Sequence, residues 1–248
     1  MICEMKRMLM GRGMWAAVAL AVAAILSGTA WPVRAGGLEP GHFMRLVQNA
    51  LCGKVVYYVM PVAAVLPWSD SVLQERKGGF LKSVLPRGTR LGYAQNKALA
   101  VALGSFLAWV VAGMAVLFLF FVLFFPREFS CRELCQWESS RWEGGWPVSP
   151  SLIWELAAVL LRCGLMSGIL GTLGGICAVL SESSYLGFGI PFVGYYFCII
   201  LRERYFPDAV WLYPPGWISG DAGYFLLLFL VTSMELHGYM LYGRLEEL

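Results

Sequence analysis

SVLQERKGGFLKSVLPRGTRLGYAQNK, residues 71 to 97, is a polar and strongly basic segment set between two apolar runs, each long enough to cross a bilayer. Six cations, Arg76, Lys77, Lys82, Arg87, Arg90 and Lys97, are opposed within it by Glu75 alone. Phe80, Leu81, Val84, Leu85 and Leu91 alternate with these charges, and Gly78, Gly79, Pro86 and Gly88 divide the segment. The glycine pair permits a sharp turn and Pro86 stops a helix, so two short helices are expected, about Ser71 to Arg76 and Gly79 to Leu85. On such pieces Phe80, Val84 and Leu91 face lipid or a partner, with the cations toward headgroups or water. In one reading this is a solvated loop whose positive charge keeps it in the cytoplasm. In the other it is a docking element for a cytoplasmic protein.

Outward from this segment, the whole chain is apolar. Hydrophobic residues make up 58% of the 248 and charged ones only 14%, against about a quarter in a soluble domain, which excludes an ordinary water-soluble fold. The net charge of +3 implies no nucleic-acid partner; the basic residues read as topology signals and lipid anchors. The expected fold class is an all-α membrane protein forming one domain over residues 1–248, with six transmembrane helices. Their spans fall at about 14–33, 48–68, 98–125, 151–180, 186–201 and 223–243. A cytosolic loop, 69–97, separates spans two and three, and outer loops occupy 127–150 and 202–222. Lys6, Arg7 and Arg12 precede the first apolar run. That run also suits a cleaved signal peptide, with Ser27, Gly28, Thr29 and Ala30 at its end. Retention is the expectation, because six spans return both ends to the cytoplasmic side. The second span holds Lys54 and Pro61, the third closes at Pro126, and the fifth is short or bent at Pro191. Trp137, Trp142 and Trp146 suit an interfacial outer loop.

The fourth span carries the polar and small residues. Glu155 and Arg162, seven positions apart, share one helix face and are expected either to pair or to line a substrate path, because Arg in hydrocarbon marks a functional position. Gly168, Gly171 and Gly175 allow another helix to approach closely. Ser167 in this span and His237 in the last one raise a remote alternative, an intramembrane serine protease, although no G-x-S-G spacing is present. Glu235 and His237 are placed near the inner end of span six, within reach of water. No G-x-x-x-x-G-K-[ST] sequence occurs, so no nucleotide site, metal site or other cofactor is expected on this chain. Four of the seven cysteines sit in apolar runs as small hydrophobes, and Cys131 with Cys135 are too few for zinc.

Glu75, Gly79, Ser83, Pro86, Arg90, Tyr93 and Lys97, lying between one span and the next, resemble the cytosolic loop of ABC-2 type permeases, the membrane subunits of ATP-binding cassette exporters. A second likeness runs through Pro191, Phe192, Tyr195 and Tyr196, then Arg204, Tyr205, Phe206 and the Tyr213 to Trp217 segment before the last span. The resemblance implies a permease in the bacterial cytoplasmic membrane, not itself an enzyme, with ATP and magnesium held on a separate P-loop ATPase subunit. It implies assembly as a homodimer or with a sibling permease. It gives Glu75, Arg76, Gly79, Phe80, Pro86, Arg87, Arg90, Tyr93 and Lys97 an ATPase-coupling role, and places Tyr205, Trp211, Tyr213 and Trp217 at an outer gate. The alternative from another class is a non-transporting membrane scaffold or sensor whose basic loop binds anionic lipid or a regulator.

Overall fold

The computed structural model describes residues 2–34, 43–67, 71, 75, 89–128, 150–209, 212–219 and 223–246. Nine helices follow one another among these residues: α1 (Ile2–Leu9), α2 (Arg12–Arg34), α3 (Phe43–Leu51), α4 (Lys54–Val65), α5 (Arg90–Glu128), α6 (Pro150–Ser181), α7 (Ser184–Arg204), α8 (Pro214–Ser219) and α9 (Gly223–Glu246). Five of them, α2, α5, α6, α7 and α9, are long and apolar enough to cross a membrane. This is an all-helical membrane protein with five candidate spans.

The boundaries differ from the sequence expectation in three places. The expected second span, 48–68, is divided: Gly53 is extended, with φ −78° and ψ 152°, and the chain turns at Cys52 and Gly53 before α4 begins. An added Cβ at Gly53 would lie 2.9 Å from the Ala50 carbonyl oxygen, so the turn is built for glycine. Helix α4 then has 12 residues, about 18 Å at 1.5 Å per residue. The second difference is that α5 starts at Arg90, eight residues before the expected span, so the last part of the expected loop 69–97 is helix. Thr89 explains this start, because its hydroxyl accepts the Gly92 backbone N–H at 3.2 Å, an N-cap that satisfies an otherwise free donor. Third, α7 is a full 21 residues despite Pro191, and only Glu182 and Ser183 separate it from α6.

Helix α6 occupies the centre. About four-fifths of its apolar segment is buried, 78% against a third or less in the other four candidate spans, and it touches α3, α4, α5, α7, α8 and α9. Its small residues make that crowding possible. Added Cβ atoms would meet the Leu230 side chain of α9 at Gly168, Ser105 of α5 and the Ala64 carbonyl of α4 at Gly171, and the His237 ring of α9 at Gly175. The main core fills the remaining space with Ile25, Leu51, Met60, Trp109, Ile169, Ile218 and Leu226. Short hydrogen bonds cross the same contacts. The Ser105 hydroxyl donates to the Ala64 carbonyl oxygen at 2.6 Å, the Ser167 hydroxyl donates to the Ser105 carbonyl oxygen at 2.8 Å, and the Thr172 and Ser233 hydroxyls meet at 2.9 Å. Each such bond contributes about 0.6 kcal/mol within a membrane.

A branched side chain at Gly171 has no room on either the α4 or the α5 side. Gly171→Leu is expected to destabilise the protein by about 1–3 kcal/mol through overpacking, read as a lower midpoint of thermal unfolding in detergent. Gly189→Ala, where an added Cβ meets nothing within 4 Å, should leave the midpoint unchanged.

Candidate functional site

A helical spacing of four puts Tyr93 and Lys97 on one face of α5, on the two turns that follow the Thr89 cap. Helix α1 runs alongside, its Met8 fully buried against Gly104 of α5, and this anchor brings the neighbouring Arg7 to the same end of the bundle. Between α4 and α5, Ser71 and Glu75 are both helical and buried. The three segments meet at one carboxylate. Glu75 Oε1 accepts from Lys97 Nζ at 2.8 Å and from Arg7 Nη1 at 3.0 Å, and Oε2 accepts from the Tyr93 hydroxyl. The Glu75 and Lys97 side chains are 5% and 0% exposed, whereas Arg7 is 44% exposed. A charge so deeply placed must be paired and hydrogen-bonded to be tolerated, and both oxygens of Glu75 are.

Three of the nine expected coupling residues thus converge, Glu75, Tyr93 and Lys97, but they face one another. Glu75 is turned inward and offers no free surface to a docking protein. Arg90 lies exposed in the first turn of α5. Arg76, Gly79, Phe80, Pro86 and Arg87 lie outside the described residues. Arg7 is the member that sequence reading missed. Its partner is 68 positions away, and a basic N-terminal residue of a membrane protein reads first as a topology signal. The i, i+4 spacing of Tyr93 and Lys97 was the available clue to a shared target.

On the facing helix α9, His237 is fully buried, and both ring nitrogens are without a hydrogen-bond partner. This overturns its expected place in reach of water. The ring packs over Gly175, and Lys97 is close enough to act on it electrostatically. Ser167, the other half of the suggested protease pair, sits eight residues back along α6, about 12 Å from Gly175, and its hydroxyl is engaged by the Ser105 carbonyl. The two do not form a nucleophile and base. Glu235, also expected near the inner end, is exposed on α9 across a cleft from Gln95 and Asn96 of α5. Among the described residues no group of three or more His, Cys, Asp or Glu side chains is placed to hold a metal ion. Cys52, Cys163, Cys177 and Cys198 are free thiols, and Cys131 and Cys135 lie outside the described residues.

The opposite end of the bundle is capped by α8. Arg162 of α6 is half-buried and donates to the Ile218 carbonyl oxygen at 3.1 Å; Glu155 is exposed and does not pair with it. Arg162 therefore meets a helix terminus, where a cation complements the free carbonyl groups. From Arg162 to Ser181 at the other end of α6 is about 28 Å, close to the thickness of a hydrocarbon core. Of the expected gate residues, Trp217 is half-buried against the main core, and Tyr213 is half-buried beneath the Arg202 guanidinium, 4.5 Å from its ring centre. Tyr205 is exposed and Trp211 lies outside the described residues. No protein-family model, no curated protein and no solved structure matches this chain.

Loss of one partner from a buried ion pair strands the other charge. Lys97→Met is expected to destabilise the protein by about 3–5 kcal/mol. The double variant Glu75→Gln with Lys97→Met, which removes both charges, should recover most of that loss in the same thermal unfolding measurement. Equal damage by the single and double variants would show that the pair is not energetically coupled.

Proposed function

We propose that this chain is the membrane subunit of an ATP-binding cassette exporter, a permease of the ABC-2 type in the bacterial cytoplasmic membrane, driven by a separate P-loop ATPase subunit. ATP and magnesium belong to that partner. In this reading the end of the bundle holding Glu75 faces the cytoplasm, the α8 cap faces outward, and two chains or a chain and a sibling permease enclose the path. The broken pair α3 and α4 makes the sixth crossing. A broken helix is tolerated at membrane depth where protein surrounds it, and α4 is flanked by α2, α5, α6 and α7.

The observation that carries the proposal is the clasp at Glu75. The segment expected to receive a motor is tied by one carboxylate to Lys97 and Tyr93 of α5 and to Arg7 of α1. A push on the basic segment is thereby delivered to a helix of 39 residues that lies against α6. Coupling in this arrangement does not need Glu75 to touch the ATPase. Glu75 holds the lever to the bundle, and the contact falls to cations of the basic segment, among them Arg90, exposed in the first turn of α5.

Co-expression with the P-loop ATPases encoded in neighbouring reading frames tests this directly. One of them is expected to co-purify in stoichiometric amount, and Arg87→Glu with Arg90→Glu should release it by reversing charge on the docking surface. Glu75→Gln should leave the ATPase bound while abolishing stimulation of its hydrolysis by the transported substrate. If no neighbouring ATPase binds in detergent or in nanodiscs, the proposal fails.

A further inference from the structure

On α9, Leu228, Val231, Thr232, Glu235, Leu236 and Tyr239 are exposed. Their spacings of three and four place them on one stripe, apolar apart from Thr232 and Glu235, as a bilayer-facing surface requires. Across from Glu235 stand Gln95 and Asn96, the neighbours of Lys97 in the first turns of α5, so Glu235 lies towards the end of the bundle that holds Glu75. Among the described residues no cationic side chain pairs with Glu235; the ion pairs there belong to Glu75. A carboxylate on a largely apolar stripe at that level is placed to meet lipid headgroups rather than acyl chains.

The surroundings specify which. Glu235 borders a cleft of about 390 Å³ between α9 and the start of α5, a size within the range of small-ligand sites, about 300–1,000 Å³. The opposite wall presents the amide side chains of Gln95 and Asn96, and Leu91, Leu99 and Met234 supply apolar surface. The cleft thus offers one anion, two sets of neutral N–H donors and a greasy rim. We propose that it binds the headgroup of an aminophospholipid from the bilayer: Glu235 takes the primary ammonium, Gln95 and Asn96 donate to the phosphodiester oxygens, and the acyl chains follow the apolar rim.

This inference needs membrane embedding but no ATPase, so it stands or falls separately from the exporter assignment. The test is native mass spectrometry of the full chain released from nanodiscs of equal phosphatidylethanolamine and phosphatidylglycerol. Wild type is expected to retain the former over the latter about ten-fold, the scale of one hydrogen-bonded charge pair, and Glu235→Gln to bring the ratio near one with unchanged circular dichroism. Should the variant not fold, wild type is offered N-acetylated phosphatidylethanolamine, which has lost the ammonium, and is expected to retain it no better than phosphatidylglycerol. Equal retention of the two parent lipids by wild type, an unchanged ratio in folded Glu235→Gln, or full retention of the acetylated lipid would overturn the proposal.

Discussion

Close approach to α6 is the constraint on which the bundle depends. In a bilayer the hydrophobic effect does not drive helices together, since lipid tails are as apolar as leucine, and association rests on packing and on short polar contacts. Gly168, Gly171 and Gly175 provide the packing, and Ser105, Ser167, Thr172 and Ser233 provide the polar contacts at the same levels. Because those contacts use helix α6 from several sides, it is buried where α7 and α9 are largely exposed. A larger residue on any one of these faces displaces a different neighbour. The centre of the protein is therefore its least substitutable part, although it contains no charged group with a chemical task.

Two glutamates show how placement decides what a carboxylate does. Glu75 is enclosed and saturated, its oxygens shared among an ammonium, a guanidinium and a phenol. Such a group contributes geometry: it aligns three chain segments and is costly to break, even where an apolar replacement of the whole cluster would be tolerated. Glu235 faces outward on a surface that is apolar but for Thr232, with amide donors across a cleft and, among the described residues, no cation paired with it. The first carboxylate closes an internal contact, and the second leaves one open. His237 lies between these cases, enclosed like Glu75 but with both ring nitrogens unmatched, a buried polar group without the partners such groups ordinarily find.

Much of this architecture was legible in the sequence because hydropathy and length are strong signals for a spanning helix. The third, fourth and last spans were placed within a few residues, except that α5 begins earlier, where Thr89 caps it. The division of the second span was not foreseen. Lys54 and Pro61 drew attention as tolerated irregularities, but the break falls at Cys52 and Gly53, where local packing against Ala50 decides. At the site, Glu75, Tyr93 and Lys97 were expected to act outward on an ATPase, whereas the structure turns them toward one another, since sequence shows that charges cluster but not which way they point. The pairing of Arg7 with Glu75, and the separation of Ser167 from His237, arise from tertiary placement that no local pattern encodes. Glu235 was noted on its helix, but the cleft it borders with Gln95 and Asn96 depends on the packing of α9 against α5.

The break in α3 and α4 acquires a mechanical meaning from the contacts on either side of it. Below the break, Ala64 accepts a hydrogen bond from Ser105, so the end of α4 is tied to α5 and, through Gly171, to α6. Above it, Gly28 of α2 packs directly on Ala50 of α3, leaving only 3.2 Å to an added Cβ, so α3 is tied to α2. Under the proposed function, a motor that displaces the Glu75 clasp moves α5 and the lower part of α4 together. Helix α2 lies against both α3 and α4, so the two parts stay joined through it. Flexing within this run falls where its helical hydrogen-bond ladder is interrupted, at Cys52 and Gly53, where a glycine can absorb a change in backbone angles, and at Pro61, which has no N–H to donate.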